Sequence, residues 1–360
     1  MVAAALTVVS VGVPSAALAL ARTPSDDPQG AIVIAQDLWG YAVARHPTAS
    51  SYQPGPTSSR DDMGTTVTIV HAATGIYDVR FPNNFPVTPN WGTVLVAALS
   101  THGAFCSVGD FGSQLNSYEG VIATCFDRTG AAADTKFAVD FLDLHTLAGR
   151  SAYVFANQPS ASSYTPDLTY QFNSTGGTNT IDRLSAGRYA VRLPGLGSSH
   201  GNVQVSSMGT GFCRVISWGP DSGDQLVQVQ CQDASGDPVD STFLFVFTQD
   251  QGLKQHGAHG VAYLEANRPT AGSYTPEAHY RYSSAGKASH VARTGVGSYV
   301  VTVPGLPAGG SAQVTAYGAG TSRCNLASIA TSGSLAKIGV ICLKPNGHPV
   351  DSRFGLSFVH

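Results

Sequence analysis

The chain has 360 residues, of which only 12% are charged, and its formal net charge is -3. Electrostatic binding to DNA or RNA needs a concentration of basic residues that neutralises phosphates, so this charge balance argues against a nucleic-acid-binding protein. Arginine outnumbers lysine, and glycine and alanine are abundant, which hints at GC-rich bacterial coding.

Residues 1–21 are almost wholly apolar and end in the run Ala-Leu-Ala at 19–21. Signal peptidase recognises this small-x-small pattern, so we expect a signal peptide that is cleaved after Ala21. A membrane anchor is the alternative, since the stretch is nearly long enough to span a bilayer, but Pro14 within it favours cleavage. Residues 22–34 are polar and predict a disordered lead-in. No later segment has the apolar length of a membrane span, so we expect a secreted, extracellular protein.

A strand-and-turn motif then occurs three times, most clearly at 185–196 and again at 297–306 and, more degenerate, at 75–83. In the clearest copy Tyr, Val and Leu alternate with other residues, which is the period of a strand with one buried face. A Pro-Gly pair follows and suits a β-turn. The threefold repeat predicts three β modules, which we number in chain order: module 1 (35–147), module 2 (148–257) and module 3 (258–360).

Each module also contains other short strand signals in the same order. A short aromatic strand opens each repeat, a loop with two prolines follows, and a strand with alternating aromatic residues closes it. Seven or eight such strands at short intervals, without a helical period, predict an all-β fold of three tandem β-sandwich or jelly-roll modules. The short connections between modules indicate that neighbouring modules touch.

Six cysteines are distributed as one similarly spaced pair per module. The repeat favours the pairing that is the same in each copy, and hairpin geometry gives an independent reason, because the second and third pairs would centre a turn on Ser222 and on Gly333. A metal site would need a close CxxC spacing or a recurrent histidine, and neither is present. We therefore predict the disulfides Cys106–Cys125, Cys213–Cys231 and Cys324–Cys342, and no bound metal or cofactor.

The strand Gly187-Arg188-Tyr189-Ala190-Val191, followed by further short strands and a terminal aromatic strand, resembles C1q/TNF-type jelly-roll modules and related tail-fibre head domains. The resemblance covers one strand motif in each repeat. It implies modules that pack as trimers, so that three in one chain would close into a pseudo-threefold head. A linear array of modules is the alternative.

No catalytic set recurs among the three copies. The recurring carboxylate is Asp134, Asp240 and Asp351, each three residues before the first aromatic residue of the final strand. Arg183 and Arg293 occupy equivalent positions upstream, so we predict structural ion pairs of Arg183 with Asp240 and of Arg293 with Asp351. Use of the same pair in ligand binding is the alternative.

The recurrent loop tyrosines Tyr52, Tyr164 and Tyr274 are the candidate ligand-binding residues, because a tyrosine offers a flat apolar face and a hydroxyl to carbohydrate or protein. The alternative is that each ring packs over its own module. The sequence thus favours a secreted, non-enzymatic binding or structural protein that acts in surface attachment or recognises a glycan, the cell wall or a surface protein. The other candidate is a secreted hydrolase with an active site at a module junction.

Overall fold

A computed structural model of the protein describes residues 38–82, 92–114, 118–144, 149–254 and 259–360. The predicted signal peptide and lead-in lie outside these ranges. Residues 35–360 group into one unit by their contacts. Within the described ranges, no helix is long and apolar enough to cross a membrane.

Each module contributes nine strands. The other regular elements in the described part of the chain are two short 3-10 turns, Leu168–Tyr170 and Ala278–Tyr280. Module 1 contains β1 (Leu38–Ala44), β2 (Ser51–Tyr52), β3 (Ser59–Asp61), β4 (Thr68–Ala73), β5 (Ile76–Pro82), β6 (Thr93–Ala98), β7 (Phe105–Gln114), β8 (Tyr118–Phe126) and β9 (Phe137–Asp143). Module 2 contains β10 (Arg150–Ala156), β11 (Ser163–Tyr164), β12 (Gln171–Asn173), β13 (Thr180–Ser185), β14 (Arg188–Leu193), β15 (Asn202–Ser207), β16 (Phe212–Asp221), β17 (Asp224–Gln232) and β18 (Phe243–Gln249). Module 3 contains β19 (Val261–Ala266), β20 (Ser273–Tyr274), β21 (Arg281–Ser283), β22 (His290–Gly295), β23 (Ser298–Pro304), β24 (Ser311–Tyr317), β25 (Arg323–Ser332), β26 (Leu335–Leu343) and β27 (Arg353–Val359).

The strands of each module form two antiparallel layers. In module 2 one layer has the order β12-β10-β18-β15 and the other the order β11-β13-β14-β17-β16, and modules 1 and 3 repeat this order with their equivalent strands. The all-β prediction of sandwich modules is confirmed. The ninth strand in each module is the two-residue strand within the proline loop, which the sequence analysis treats as loop.

The core of each module lies between its two layers, as the alternation in the repeated motif predicts. In module 2 the ring of Tyr189 on β14 lies 5.2 Å from the ring of Phe243 on β18, and both side chains are fully buried. The final strands differ from the expectation of one buried face, because Leu244 and Val246 on the opposite face of β18 are buried as well. This second face packs against a neighbouring module, since Leu244 belongs to the core cluster of module 1.

The predicted disulfides are confirmed, and each one joins the two strands of a hairpin: Cys106–Cys125, Cys213–Cys231 and Cys324–Cys342. Val215 pairs with Val229 in the predicted register. A β-bulge between Val215 and Ser217 then shifts the register, so the turn consists of Ser222 and Gly223 instead of being centred on Ser222 alone. Both turn residues have positive φ, the conformation that matches the twist of a two-residue hairpin.

Three equivalent parallel bridges join the modules in a closed ring. In each bridge, the residue two positions after the first cysteine of one module pairs with the end of the sixth strand of another module. A backbone amide reinforces each bridge at 2.9 to 3.4 Å. The bridges are Val108–Met208 (modules 1 and 2), Val215–Tyr317 (modules 2 and 3) and Leu326–Leu99 (modules 3 and 1). Because the third bridge returns to module 1, the modules surround a pseudo-threefold axis and do not form a linear array.

Side chains at one repeated position strengthen this ring. The residue after the first cysteine donates a hydrogen bond to a backbone carbonyl of the next module around the axis, although the residue type differs each time. The donors and acceptors are Ser107 Oγ to Gly209 O (2.5 Å), Arg214 Nη1 to Ser322 O (2.9 Å) and Asn325 Nδ2 to Ala104 O (2.6 Å). A hydroxyl, a guanidinium and a side-chain amide therefore make the same contact between neighbouring modules.

The junction between modules 1 and 3 differs from the other two at the axis. At the junction of modules 1 and 2, Ser206 Oγ accepts a hydrogen bond from Val96 N at 2.9 Å. At the junction of modules 2 and 3, Thr315 Oγ1 accepts one from Val205 N at 3.1 Å. The equivalent position in module 1 is Ala97, which has no hydroxyl, so this bond cannot form at the third junction.

Candidate functional site

The recurrent aspartate of each module lies at the centre of a small polar cluster. Asp240 accepts two hydrogen bonds from Arg183 Nε, both at 3.0 Å, and one from Arg183 Nη2 at 2.8 Å. It also accepts one from the backbone N–H of Gly187 at 2.8 Å. Its Oδ1 lies 3.3 Å from the hydroxyl of Tyr189, and that hydroxyl in turn accepts a bond from Ser241 N. Asp240 thereby joins the start of β14 to the start of β18.

The other two modules build the same cluster around Asp351 and Asp134. Arg293 contacts Asp351 through two hydrogen bonds of 2.9 Å, whereas in module 1 a histidine replaces the arginine and His71 Nε2 lies 2.8 Å from Asp134. Arg293 holds the pKa of Asp351 below its usual range, and Arg183 does the same for Asp240. These ionised carboxylates stabilise the fold above their unfolded pKa, and that stabilisation is lost as the pH falls through the lowered pKa.

The three loop tyrosines occupy equivalent, largely buried places. The hydroxyl of Tyr164 accepts a hydrogen bond from Gln158 N at 3.3 Å, and the ring packs against the core cluster of module 2. Tyr52 and Tyr274 accept equivalent bonds from His46 N and Arg268 N. A ligand-binding role for these tyrosines stays a prediction, which the following variant addresses.

We expect Tyr164→Ala to lower the free energy of unfolding by about 2 kcal/mol or more, because it removes a packed ring and leaves a backbone N–H without its acceptor. Thermal or urea unfolding measures this cost. Unchanged stability combined with weakened ligand binding would instead assign the ring to a contact surface.

An open groove of about 800 Å³ lies at the junction of modules 1 and 3, the junction that lacks the axial hydroxyl. Modules 1 and 3 both line it, and we call it the junction groove. Its lining includes Arg45, Leu99, His102, Arg128, Lys136 and Ile329.

The cations of the junction groove differ in how far they are already engaged. Arg45 is held by Ser58 Oγ at 3.3 Å and by Ile329 O at 3.2 Å, so it joins module 1 to module 3. The side chains of Arg128 and Lys136 are exposed and form no hydrogen bond or ion pair with any residue that the structure describes. Two fixed positive charges are therefore available to a ligand.

The two carboxylates of the groove are engaged by their own module. Asp127 accepts hydrogen bonds from the hydroxyl and the backbone N–H of Thr129, and these bonds lower the pKa of Asp127. For Asp134, burial opposes ionisation, but the bonds from Gly75 N and His71 outweigh it and lower its pKa. Both carboxylates are ionised at neutral pH, and the hydrogen bonds that they accept come from residues of module 1. Among the described residues, neither carboxylate forms an ion pair with Arg128 or Lys136.

The junction groove continues into a depression on the pseudo-threefold axis, since Arg128 and Thr129 line both. This depression, the axial basin, has a volume of about 540 Å³ and is formed by the equivalent turns that follow the second cysteine strand of each module. Arg128 and Lys344 are its charged residues. The charged residues of the basin are thus positive, and Arg128 belongs to the junction groove as well.

The repeat explains why sequence analysis misses this site. Arg128 corresponds to Ala234 in module 2 and to Pro345 in module 3, so this cation does not recur. Lys136 corresponds to Thr242 in module 2 and to Arg353 in module 3. Recurring residues form the clusters that stabilise each module, whereas the groove combines Arg128, which is specific to module 1, with residues of module 3. A comparison of charge between equivalent turns would have found Arg128.

Neither a known protein family, nor a curated protein, nor a solved structure matches the chain. Within the described residues, no group of three or more His, Cys, Asp or Glu side chains is placed to hold a metal ion. The function therefore has to be argued from the groove itself.

Proposed function

We propose that the protein is a secreted bacterial binding protein that attaches to an acidic polysaccharide of a cell surface through the junction groove. One observation carries the proposal: Arg128 and Lys136 are exposed, lie in the same groove and are not paired with carboxylates of the protein. Three disulfides are compatible with an oxidising, extracellular location.

The shape of the groove supports a chain-like ligand. It is open along its length and continues into the axial basin, so several sugar units could contact it at once. Arginine and lysine bind carboxylate, sulfate or phosphate groups of such a polymer through charge-assisted hydrogen bonds. The junction groove is formed by modules 1 and 3. Attachment therefore depends on this one site and not on three equivalent sites.

The pKa values of the groove carboxylates favour binding over the alternative, a hydrolase at the same junction. A general acid for glycoside hydrolysis requires a carboxyl whose pKa is raised towards neutrality. The pKa values of Asp127 and Asp134 are instead lowered. His102 is the histidine in the lining of the groove, and its Nδ1 lies 3.2 Å from Thr101 Oγ1.

The test uses substitutions that the protein itself already tolerates at equivalent positions. The variant Arg128→Ala with Lys136→Thr carries the residues of module 2 in module 1, and we expect it to bind acidic polysaccharides about tenfold more weakly than the original protein. Binding to acidic and neutral polysaccharides is measured at low and moderate salt, and the affinity of the original protein should fall as salt rises.

The matched control removes two exposed cations outside the groove, Arg188→Ala with Lys337→Ala, and has the same net charge. If both double variants bind acidic polysaccharides equally weakly, the loss of affinity follows from net charge alone and the assignment to the groove is wrong. The hydrolase is the correct function if the protein binds no acidic polysaccharide but turns over glycosides or esters. In that case His102→Ala or His102→Gln should abolish turnover.

A further inference from the structure

A small internal cavity of about 50 Å³ lies on the pseudo-threefold axis. Its wall consists of equivalent residues of all three modules, from the sixth strands β6, β15 and β24 and from the starts of β7, β16 and β25. We call it the axial cavity. A single water needs roughly 10–15 Å³, so the cavity has room for a monatomic ion with a few waters but not for a sugar.

One residue in the wall of the axial cavity breaks its symmetry. The residue before the first cysteine is Phe105 in module 1 and Phe212 in module 2, but Arg323 in module 3. The guanidinium carbon of Arg323 lies 5.0 Å from the ring centre of Phe105 and 5.3 Å from that of Phe212. Only 4% of Arg323 is exposed. A positive charge therefore sits beside the axis, between two aromatic rings.

The hydrogen-bonding capacity of this guanidinium is largely unused. Nη2 donates to Gly103 O at 2.8 Å, whereas Nε and Nη1 are buried and have no hydrogen-bond partner among the described residues. The charge that acts most on Arg323 is Arg128, which is also positive. Burial lowers the pKa of Arg323 to about 10, so the group remains protonated at neutral pH.

A buried charge of this kind is costly unless an opposite charge or several hydrogen-bond acceptors face it. The two aromatic faces offset part of that cost. No carboxylate lines the axial cavity, and its other polar wall groups include the amide of Asn325 and the hydroxyls of Ser206 and Thr315. Asn325 and Thr315 already donate to carbonyl oxygens of neighbouring modules.

We infer that the axial cavity binds a monatomic anion of the size of chloride or bromide, which accepts hydrogen bonds from Nε and Nη1 of Arg323. The anion supplies the negative charge that the wall lacks, while the guanidinium of Arg323 itself contacts the rings of modules 1 and 2. This inference is independent of the polysaccharide proposed for the junction groove.

The direct test is crystallisation of the full protein in sodium bromide, with anomalous scattering recorded at the bromine edge. We expect a bromide peak within hydrogen-bonding distance of Nε or Nη1 of Arg323. Density for water alone at this position, with no anomalous peak, would overturn the inference. This measurement needs no variant, so it does not depend on how well a substituted protein folds.

The second test compares melting temperatures in sodium chloride and sodium gluconate at equal ionic strength, because gluconate is too large for the cavity. Binding of the anion to the folded state should raise the melting temperature saturably, by roughly 2 °C. Arg323→Phe, which gives module 3 the residue of the other two modules, should remove the chloride effect. Arg188→Ala, an exposed arginine elsewhere, should retain it. An equal chloride response in Arg323→Phe and the original protein would contradict the assignment.

Discussion

Gly187→Ala should destabilise the protein by about 3 kcal/mol or more. Gly187 has a φ of 65°, a conformation in which an L-residue with a side chain is strained. In addition, a Cβ at this position would lie 2.5 Å from the carbonyl oxygen of Cys231 and 2.7 Å from Val239 N. Both neighbours are backbone atoms, so they cannot move away as a flexible side chain would.

Gly176→Ala separates the two causes. Gly176 has a similar φ of 74°, but no atom lies within 4 Å of the Cβ that the substitution would add. It should therefore cost only the backbone strain, about 1 kcal/mol. Urea unfolding of both variants provides the comparison. If both variants lose the same free energy of unfolding, the backbone around Gly187 and Cys231 can move apart to accept a Cβ.

Gly187 also shows why the motif recurs. Its N–H donates to Asp240, and its carbonyl accepts from Cys231 N at 2.7 Å, so one residue connects the aspartate cluster to the disulfide strand. Gly297 occupies the same position in module 3, with a φ of 66° and Cys342 O at the same 2.5 Å from its virtual Cβ. The repeated Gly-x-Tyr sequence is therefore explained by close packing within each module and needs no ligand.

Features within one module can be predicted from the sequence because they recur. The alternation around Tyr189, the turn residues near Ser222 and the spacing of Cys213 and Cys231 all act over short distances within one β sandwich. They predict the strands, the hairpin and its disulfide. The β-bulge after Val215 was not predicted, because no glycine or proline marks it.

Features between modules could not be predicted in this way. The parallel bridge of Val215 to Tyr317 joins two modules through backbone atoms, which leave no residue pattern. The junction groove and Arg323 depend on differences between the copies, so a pattern of recurring residues does not reveal them. The resemblance to C1q/TNF-type modules implied closure around an axis, and the family assignment itself stays a prediction.

Asp140→Asn should make the protein more stable at pH 8 than the original chain, although it removes a charged group from the final strand of module 1. Asp140 is 2% exposed and lies on β9, opposite Tyr41 on β1. Burial raises the pKa of Asp140 to about 7. Ser311 and Gln313 on β24 of module 3 oppose this shift, although neither reaches a hydrogen-bonding geometry with the carboxylate.

The sign of the pH dependence follows from that raised pKa. In the unfolded chain Asp140 loses its proton near pH 4, whereas in the folded protein it keeps the proton until about pH 7. Between these values the folded state binds more protons, so this group's contribution to stability falls as the pH rises. Asp140→Asn removes the fall, and its stability relative to the original protein should increase by about 1–4 kcal/mol between pH 4 and pH 8.

The other modules indicate that the position does not need a carboxylate, since the equivalent residues are Val246 and Ser357. Asp237→Asn, at an exposed site, makes the same change in charge and provides the control. Chemical unfolding of both variants from pH 4 to pH 8 gives the two profiles. If Asp140→Asn and Asp237→Asn show the same pH dependence, Asp140 is ionised in the folded protein and the junction of modules 1 and 3 admits water to it. If Asp140→Asn alone gains stability relative to the original protein as the pH rises, the pKa of Asp140 is raised in the folded protein. The junction between modules 1 and 3 then excludes water from this face of β9.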